Sequence, residues 1–370
     1  MAGLDLTFPR DLVAMAGRDA GLSLLVVVAA TLVSVALNVR LAALFPDEGP
    51  LGYLPRLLGR LPGRAVELMV WCFYLALAAW ALRNIVEVIH TLFLPNTPTF
   101  ALGVALILTV LGIVRHDIGP VARTVEIVMI ASLGVVMTVT LLRLPSLTES
   151  WATVPGPVLH PDRALRAALA AYYVLVGSQV LLKLYPHVRV ADYARLRNLA
   201  LGAVGVQCAA LAIMFVVTQG SLGPGAVASL VWPSVTTLRL VVLQGFFINR
   251  LGLMAMMSWS GLSVSFLLIR VWDAATEVTG MVGLPRGRTN WTLPPLGALL
   301  LVLAFLPADS YTLGTLATRI LSPVAVAVTI VLPAALLLVA RLGHFWHAPY
   351  GPSCPHPPLP GQDPDPAPVP

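Results

Sequence analysis

The sequence predicts an all-α protein that crosses a membrane many times and is built as two repeats of five helices. The 370 residues are 58% hydrophobic and 11% charged, with a mean hydropathy of +0.87, whereas soluble domains carry about 25% charged residues. A bilayer is the environment that accommodates so much apolar surface. The hydrophobic residues also fall into ten apolar segments, and ten divides into five and five.

The first segment, at 4–16, is too short to span a bilayer. As an α-helix it reaches about 20 Å, against a hydrocarbon core of roughly 30 Å. We therefore expect the second half of a broken first helix, whose N-terminal half is missing or lies elsewhere. In transporter folds built from inverted repeats, substrate binds at such a break. Thr7 and Pro9 are therefore candidate ligand-binding residues.

Nine longer apolar segments follow, and two of them, 98–114 and 293–307, are near the lower limit for a span. The other seven lie at 21–44, 66–94, 124–142, 165–185, 196–219, 251–278 and 320–341. We expect Gly220–Arg250 to form an amphipathic or re-entrant helix over the outer face. We expect residues 1–347 to form one transmembrane domain and the proline-rich tail at 348–370 to be disordered.

The charge distribution predicts the orientation. The net charge is +6, and the arginines are concentrated between the apolar segments rather than on one face. More of them fall on the side of the connection at 45–64, which the positive-inside rule therefore assigns to the cytoplasm. The same distribution indicates topology signals and not a phosphate-binding surface, so we expect no nucleic-acid partner.

The sixth segment is the expected symmetry partner of the broken first helix. It carries Gly177, Ser178 and Gln179 near its middle and Tyr173 one turn earlier. Glycine and serine permit local unwinding, which frees backbone groups for a small polar ligand. The alternative is a glycine that serves helix packing.

Two aromatic residues are candidate ligand-binding residues at a depth in the membrane similar to that of Gly177. Tyr74 lies on the third helix and Trp259 on the eighth. Aromatic residues at helical spacing more often pack than bind a ligand, so both interpretations stay open for these residues.

Two charged pairs have the spacing of structural ion pairs. Arg83 and Glu87 are four residues apart on the third helix, and Arg123 and Glu126 are three apart on the fifth. Charges within a bilayer are costly and usually paired, so we expect a structural role for both pairs.

Enzyme signatures are absent from the sequence: there is no phosphate loop, nucleotide fingerprint, nucleophile elbow or set of paired intramembrane carboxylates. We expect neither an enzyme nor a cofactor. Histidine and cysteine occur together only in or beside the tail, where no fold sets their geometry, so we expect no metal site. These residues are His344, His347, Cys354 and His356.

Several stretches, in their order and spacing, resemble the spore-germination permease family, the B subunits of germinant receptors in the amino acid–polyamine–organocation superfamily. They are AGRDAGLS at 16–23, LGYLPRLLGRLPGR at 51–64, ALRNIVEVIHTLFLPNTP at 81–98, IGPVARTVEI at 118–127 and the run from Trp232 to Trp259. The resemblance implies a LeuT-like fold of five plus five inverted repeats. Members of that family have a longer N-terminus, which supplies the inner half of helix one.

The resemblance also implies a function. The chain would be a germinant-sensing subunit in the inner membrane of the spore, binding a small molecule such as an amino acid within the bilayer. Its implied partners are a membrane A subunit and a lipoprotein C subunit. The alternative is a secondary transporter of amino acids coupled to protons or ions, because sensor and transporter share one fold.

The predicted orientation is tested by thiol labelling. Cysteines introduced at Gly52 and Ser229 should react with an impermeant reagent from opposite sides of the membrane, because 45–64 is expected inside and 220–250 outside. Labelling of both cysteines from the same side would contradict this topology.

Overall fold

The computed structural model describes residues 6–45, 49–116, 118–147, 160–177, 180, 182, 193–241, 251–284 and 289–342. Within these ranges every regular element is helical. The principal helices are α1 Phe8–Ala16, α2 Ala20–Leu44, α3 Pro50–Leu58, α4 Arg60–Leu92, α5 Thr99–Val114, α6 Ile118–Leu141, α7 Pro161–Ala171, α8 Tyr193–Ser229, α9 Pro233–Arg239, α10 Leu251–Met281, α11 Thr289–Phe305 and α12 Tyr311–Leu342.

The lengths of the helices agree with the hydropathy pattern. Among the described residues, six helical spans are long and apolar enough to cross a membrane, the first being Phe8–Leu44, which joins α1 and α2. The others are α4, α6, α8, α10 and α12. The two segments expected near the lower limit of length are the shorter apolar helices α5 and α11.

The outer surface of the bundle is apolar. Leu108 is 62% exposed, Ile127 is 69% exposed and Val302 is 61% exposed. Large aliphatic side chains at such exposure would form an unfavourable patch in water. In a bilayer they contact lipid, so this surface fits the membrane-spanning assignment.

The helices form two packed groups. In one, α1 and α2 both contact α7 and α8. In the other, α4, α5, α10 and α11 contact one another around a separate apolar core. The long helix α6 packs along α10, and the final helix α12 reaches α2, α4 and α7.

Helix α1 is short because both of its ends are fixed by local sequence. Pro9 lies in its first turn, where a missing N–H costs no helical hydrogen bond. Gly17 ends the helix with a φ of 55°, a conformation that glycine adopts readily. Asp19, just before α2, accepts a 3.0 Å hydrogen bond from the backbone N–H of His160, which ties this turn to the start of α7.

The sixth predicted span is interrupted. Helix α7 ends at Ala171, a 3₁₀ turn follows at Tyr172–Leu175, and Val176 is extended with φ −73° and ψ 132°. Gly177 therefore follows the end of the helix, and the interruption begins at Tyr172. Ser178 and Gln179 lie outside the described residues.

The segment expected to form an amphipathic or re-entrant helix over the outer face is divided into shorter elements. Gly223, with a φ of 75° and followed by Pro224, interrupts α8 near its end. Helix α9 then occupies seven residues and is buried against α8 and α10. Residues 242–250 and the tail at 348–370 lie outside the described part of the chain.

Helix α12 contains two π-helical turns, at Ala317–Leu321 and Ala327–Val331. The carbonyl of Thr329, in the second turn, accepts hydrogen bonds from Ser34 Oγ at 2.9 Å and from Asn38 Nδ2 at 3.1 Å. These buried contacts join α2 to α12.

A close backbone approach joins α3 to α4. Gly59, with a φ of 92°, makes the turn between the two helices. A Cβ atom on Gly63 would lie 2.7 Å from the backbone carbonyl of Leu54 and from the backbone nitrogen of Pro55. Only glycine fits at position 63 without moving one backbone away from the other.

Gly63→Ala should therefore destabilise the protein by about 1–3 kcal/mol, as overpacking of a core does. The measurement is the thermal unfolding midpoint of the purified protein. Gly134→Ala is the matched control, because a Cβ at that helical glycine meets nothing within 4 Å. Equal stability of the two variants would contradict the close approach.

Candidate functional site

The broken ends of two helices meet at the hydroxyl group of Tyr173. This hydroxyl lies 3.3 Å from Thr7 Oγ1, immediately before α1, and donates a 3.1 Å hydrogen bond to Asp11 Oδ2 on α1. Thr7 Oγ1 also approaches Asp11 Oδ2, at 3.4 Å. Tyr173 is only 1% exposed, so the contacts join the two breaks inside the protein.

Two further helices hold Tyr173 in place. Its ring packs edge-on against Trp80 of α4, with ring centroids 5.1 Å apart. Its backbone N–H donates a 3.0 Å hydrogen bond to Ser322 Oγ of α12. Ser322 Oγ in turn donates to the carbonyl of Leu169 in the last turn of α7. The side chain of Ser322 thus satisfies two backbone groups at the point where α7 ends.

This arrangement presents charge of both signs to a small molecule. The N-terminus of α1, which lies at the break, carries the positive end of the helix dipole. Asp11 places a carboxylate one turn further along, within the polar group made by Thr7 and Tyr173. Such a site can hold a zwitterion through its two charged ends.

Gly177 borders a cavity of about 470 Å³. This is a volume typical of small-ligand sites. Aliphatic and aromatic side chains of α2, α6, α8 and α10 form most of its wall. Polar groups enter it from three of these helices: Thr31 of α2, Gln207 of α8 and Ser265 of α10.

The structure brings together part of the predicted site. Thr7 and Tyr173 are in contact, and Pro9 is buried in the first turn of α1. Trp259 belongs to the same buried apolar cluster as Tyr173. Gly177 lies in non-helical backbone at the cavity.

Tyr74 belongs to the same buried apolar cluster as Tyr173, but its side chain contacts other groups. Its ring packs under the guanidinium group of Arg270, 4.3 Å from the ring centroid, and it lines a second, smaller cavity. Among the described residues no hydrogen bond joins Tyr74 to the group around Tyr173. The hydropathy pattern placed Tyr74 within an apolar helix but did not give the direction of its side chain.

The structure forms one of the two expected ion pairs. Arg83 Nη2 lies 2.6 Å from Glu87 Oε1, and the guanidinium also packs over the ring of Phe305 at 4.7 Å. Arg123 and Glu126 are both exposed on α6, and the structure forms no ion pair between these two described residues. Solvent and lipid headgroups compete for charges at the surface, so spacing alone does not bring them together.

Sequence reasoning missed three partners of Tyr173, namely Asp11, Trp80 and Ser322. Of these three residues, only Asp11 could have been identified from the sequence, as an acidic residue close to the expected break in the first helix.

Sequence reasoning also missed two buried carboxylates. Glu67 of α4 and Glu277 of α10 line one cavity. These two residues lie on different helices, so their shared cavity is not visible as a spacing in the sequence. In the described ranges, no group of three or more His, Cys, Asp or Glu residues has metal-binding geometry.

Comparisons with known proteins agree with this architecture. The chain resembles the crystal structure of MhsT in complex with L-phenylalanine, with a TM-score of 0.64 and 12% sequence identity over 92% of this chain and 94% of MhsT. This likeness confirms the LeuT-like fold. The spore germination protein YndE of Bacillus subtilis (strain 168) is 20% identical over 256 residues, which is 69% of each protein.

A family model described as "Spore germination protein" matches residues 3–312. Together with the transporter fold and the apolar spans, this match confirms a multi-pass integral membrane protein. The chain belongs to the spore-germination permease family.

Proposed function

We propose that this protein is the germinant-binding membrane subunit of a spore germination receptor, located in the inner membrane of the spore. The observation that carries the proposal is the meeting of two interrupted helices at Tyr173, where Thr7 Oγ1 lies 3.3 Å from the phenol oxygen. In this type of fold, interrupted helices form the binding site for the solute. The family match supplies the link to germination.

The chemistry of the break favours an amino acid as the germinant. The N-terminal turn of α1 attracts a carboxylate, and the carboxylate of Asp11 attracts an ammonium group. The apolar wall of the cavity beside Gly177 favours an apolar side chain. The complex of MhsT with L-phenylalanine is a precedent for such a ligand on this fold.

The receptor role requires partner proteins. We propose that a membrane A subunit and a lipoprotein C subunit receive the signal when the site is occupied. Co-purification of both subunits with the tagged protein from spores would support this assembly, and its isolation alone from mild detergent would contradict it.

The alternative is a secondary transporter of amino acids, coupled to protons or ions. Its support is the fold shared with MhsT. Uptake of radiolabelled amino acids into proteoliposomes distinguishes the two functions. A sensor binds the amino acid without accumulating it, whereas a transporter accumulates it when an ion gradient is imposed.

Gly177→Leu tests the location of the ligand. The added side chain would occupy the cavity beside the helix break, so stabilisation by any of the twenty standard amino acids in a thermal-shift assay should be lost. The matched control is Gly202→Leu on α8, where a Cβ meets nothing within 4 Å. If Gly177→Leu keeps the ligand response of the wild type, the ligand site is elsewhere.

Tyr173→Phe tests the polar group itself. It removes the hydroxyl that contacts Thr7 and Asp11 while keeping the ring on Trp80. We expect amino-acid affinity to fall about tenfold, the effect of losing one hydrogen bond to a charged group. Tyr172→Phe removes the neighbouring hydroxyl, which lies 2.9 Å from Thr329 Oγ1, and should leave affinity within about twofold. Equal affinities in the two variants would exclude Tyr173 from the site.

A further inference from the structure

One side of helix α6 carries exposed residues of both charge signs. The opposite side packs along α10, where a Cβ atom on Gly261 would contact Ser132 of α6. The exposed residues recur at intervals of three and one positions, which places them on a single face of the helix. We call this the outer face of α6, and it comprises Arg123, Glu126, Ile127, Ile130 and Ala131.

The charged residues of the outer face lie within the apolar span. Helix α6 has 24 residues. A centred helix of this length reaches about 36 Å and extends about 3 Å beyond each side of a hydrocarbon core of roughly 30 Å. Glu126 follows the first residue of the helix, Ile118, by eight positions and therefore lies about 9 Å inside the core. Arg123 lies about 5 Å inside the core.

Neither charge is neutralised by the part of the chain that the structure describes. Among those residues, the Glu126 carboxylate and the Arg123 guanidinium form no ion pair with each other or with another group. A long arginine side chain can extend to the lipid headgroups, but a glutamate side chain reaches less far. Charged side chains within a membrane usually face a protein partner. We therefore expect protein to cover the outer face of α6.

We propose that a second copy of this chain covers the outer face of α6, and that Arg123 of each copy pairs with Glu126 of the other. Both copies have the same orientation in the membrane, so a two-fold axis along the membrane normal relates them and brings equivalent residues to equal depth. Arg123 and Glu126 then differ in depth by about 4.5 Å. The side chain of arginine spans this distance, and the symmetry produces two ion pairs.

Charge complementarity selects a second copy as the occupant. The outer face carries one positive and one negative charge three positions apart, so it is complementary to itself. A partner helix of a single charge sign would leave either Arg123 or Glu126 without a counter-charge. Arginine and carboxylate groups form strong paired hydrogen bonds, and their attraction is greater in surroundings of low dielectric. The small side chain of Ala131 permits close approach of the two helices.

The contact also affects the cavity beside Gly177. Ile130 is 62% exposed on the outer face and lines that cavity as well. A second copy on α6 would therefore cover part of the cavity wall that faces lipid. The two ion pairs are separate from the polar group at Tyr173. The association of two copies can thus be measured without any amino acid, and its outcome is distinguishable from a failure of the proposed function.

The test is the oligomeric state of the full-length protein in lipid vesicles, determined by single-molecule photobleaching over a range of protein-to-lipid ratios. The wild type should be dimeric. Arg123→Glu or Glu126→Arg alone places like charges opposite each other and should weaken dimerisation about a hundredfold or more. Arg319→Glu, an exposed charge reversal on α12, is the matched control and should remain dimeric.

Mixing the two charge-reversal variants tests the pairing itself. The two negative charges of Arg123→Glu then face the two positive charges of Glu126→Arg. Labelled with different dyes and reconstituted together, these variants should form mixed dimers, seen as coincident spots of both colours. The double variant Arg123→Glu/Glu126→Arg restores both pairs within one type of chain and should be dimeric on its own. It also keeps the test decisive if a single reversal prevents folding.

A monomeric wild type at every protein-to-lipid ratio would overturn the proposal and assign the outer face of α6 to a different partner. A dimer that persists in both single reversals would place the interface elsewhere. If the double variant is dimeric but folded single variants do not form mixed dimers, the two charges act within one chain and the proposed contact is wrong.

Discussion

In a bilayer, every backbone N–H and C=O group must find a partner within the protein, and this constraint governs the whole structure. A continuous helix satisfies these groups along its own length, but α1 begins at Phe8 and α7 ends at Ala171, and both residues are buried inside the protein. The structure meets the requirement with side chains from distant helices. Ser322 bonds the backbone of both Tyr173 and Leu169, and the hydroxyl of Tyr173 joins the two breaks. At the candidate ligand site, side-chain hydrogen bonds therefore also hold the ends of two helices in place.

Much of the fold could be predicted from the sequence, because hydropathy over a span of about twenty residues is a strong local signal. The short first segment, the two marginal spans and the interruption near Gly177 are all visible as local features of length and composition. The segment at 220–250 was the exception. It was expected to form an amphipathic or re-entrant helix, but Gly223 with Pro224 interrupts α8, and α9 is buried against α8 and α10. The Gly–Pro break is a local signal in the sequence, whereas the burial of α9 depends on tertiary contacts.

The candidate site was harder to predict because its contacts connect residues far apart in sequence. The pairs Tyr173–Thr7 and Tyr173–Ser322 are separated by 166 and 149 positions, and no periodicity reports which helix faces which. Tyr74 illustrates the same limit, because its position along one helix does not predict that its ring packs against Arg270. The buried carboxylates Glu67 and Glu277 were overlooked because the cavity that they share lies between two helices, α4 and α10. Spacing within one helix reveals an i, i+4 pair such as Arg83 and Glu87 but not a pair formed across two helices.

The two π-helical turns of α12 have a mechanical consequence. A π turn holds one more residue than an α turn, so conversion between the two shifts the register of all that follows by one residue, a rotation of about 100°. Thr329, in the second π turn, contacts Ser34 and Asn38 through its carbonyl and Tyr172 through its hydroxyl. Such a shift would break all three contacts together. Conversion of this π turn to an α turn would therefore release both α2 and Tyr172 from α12 at once.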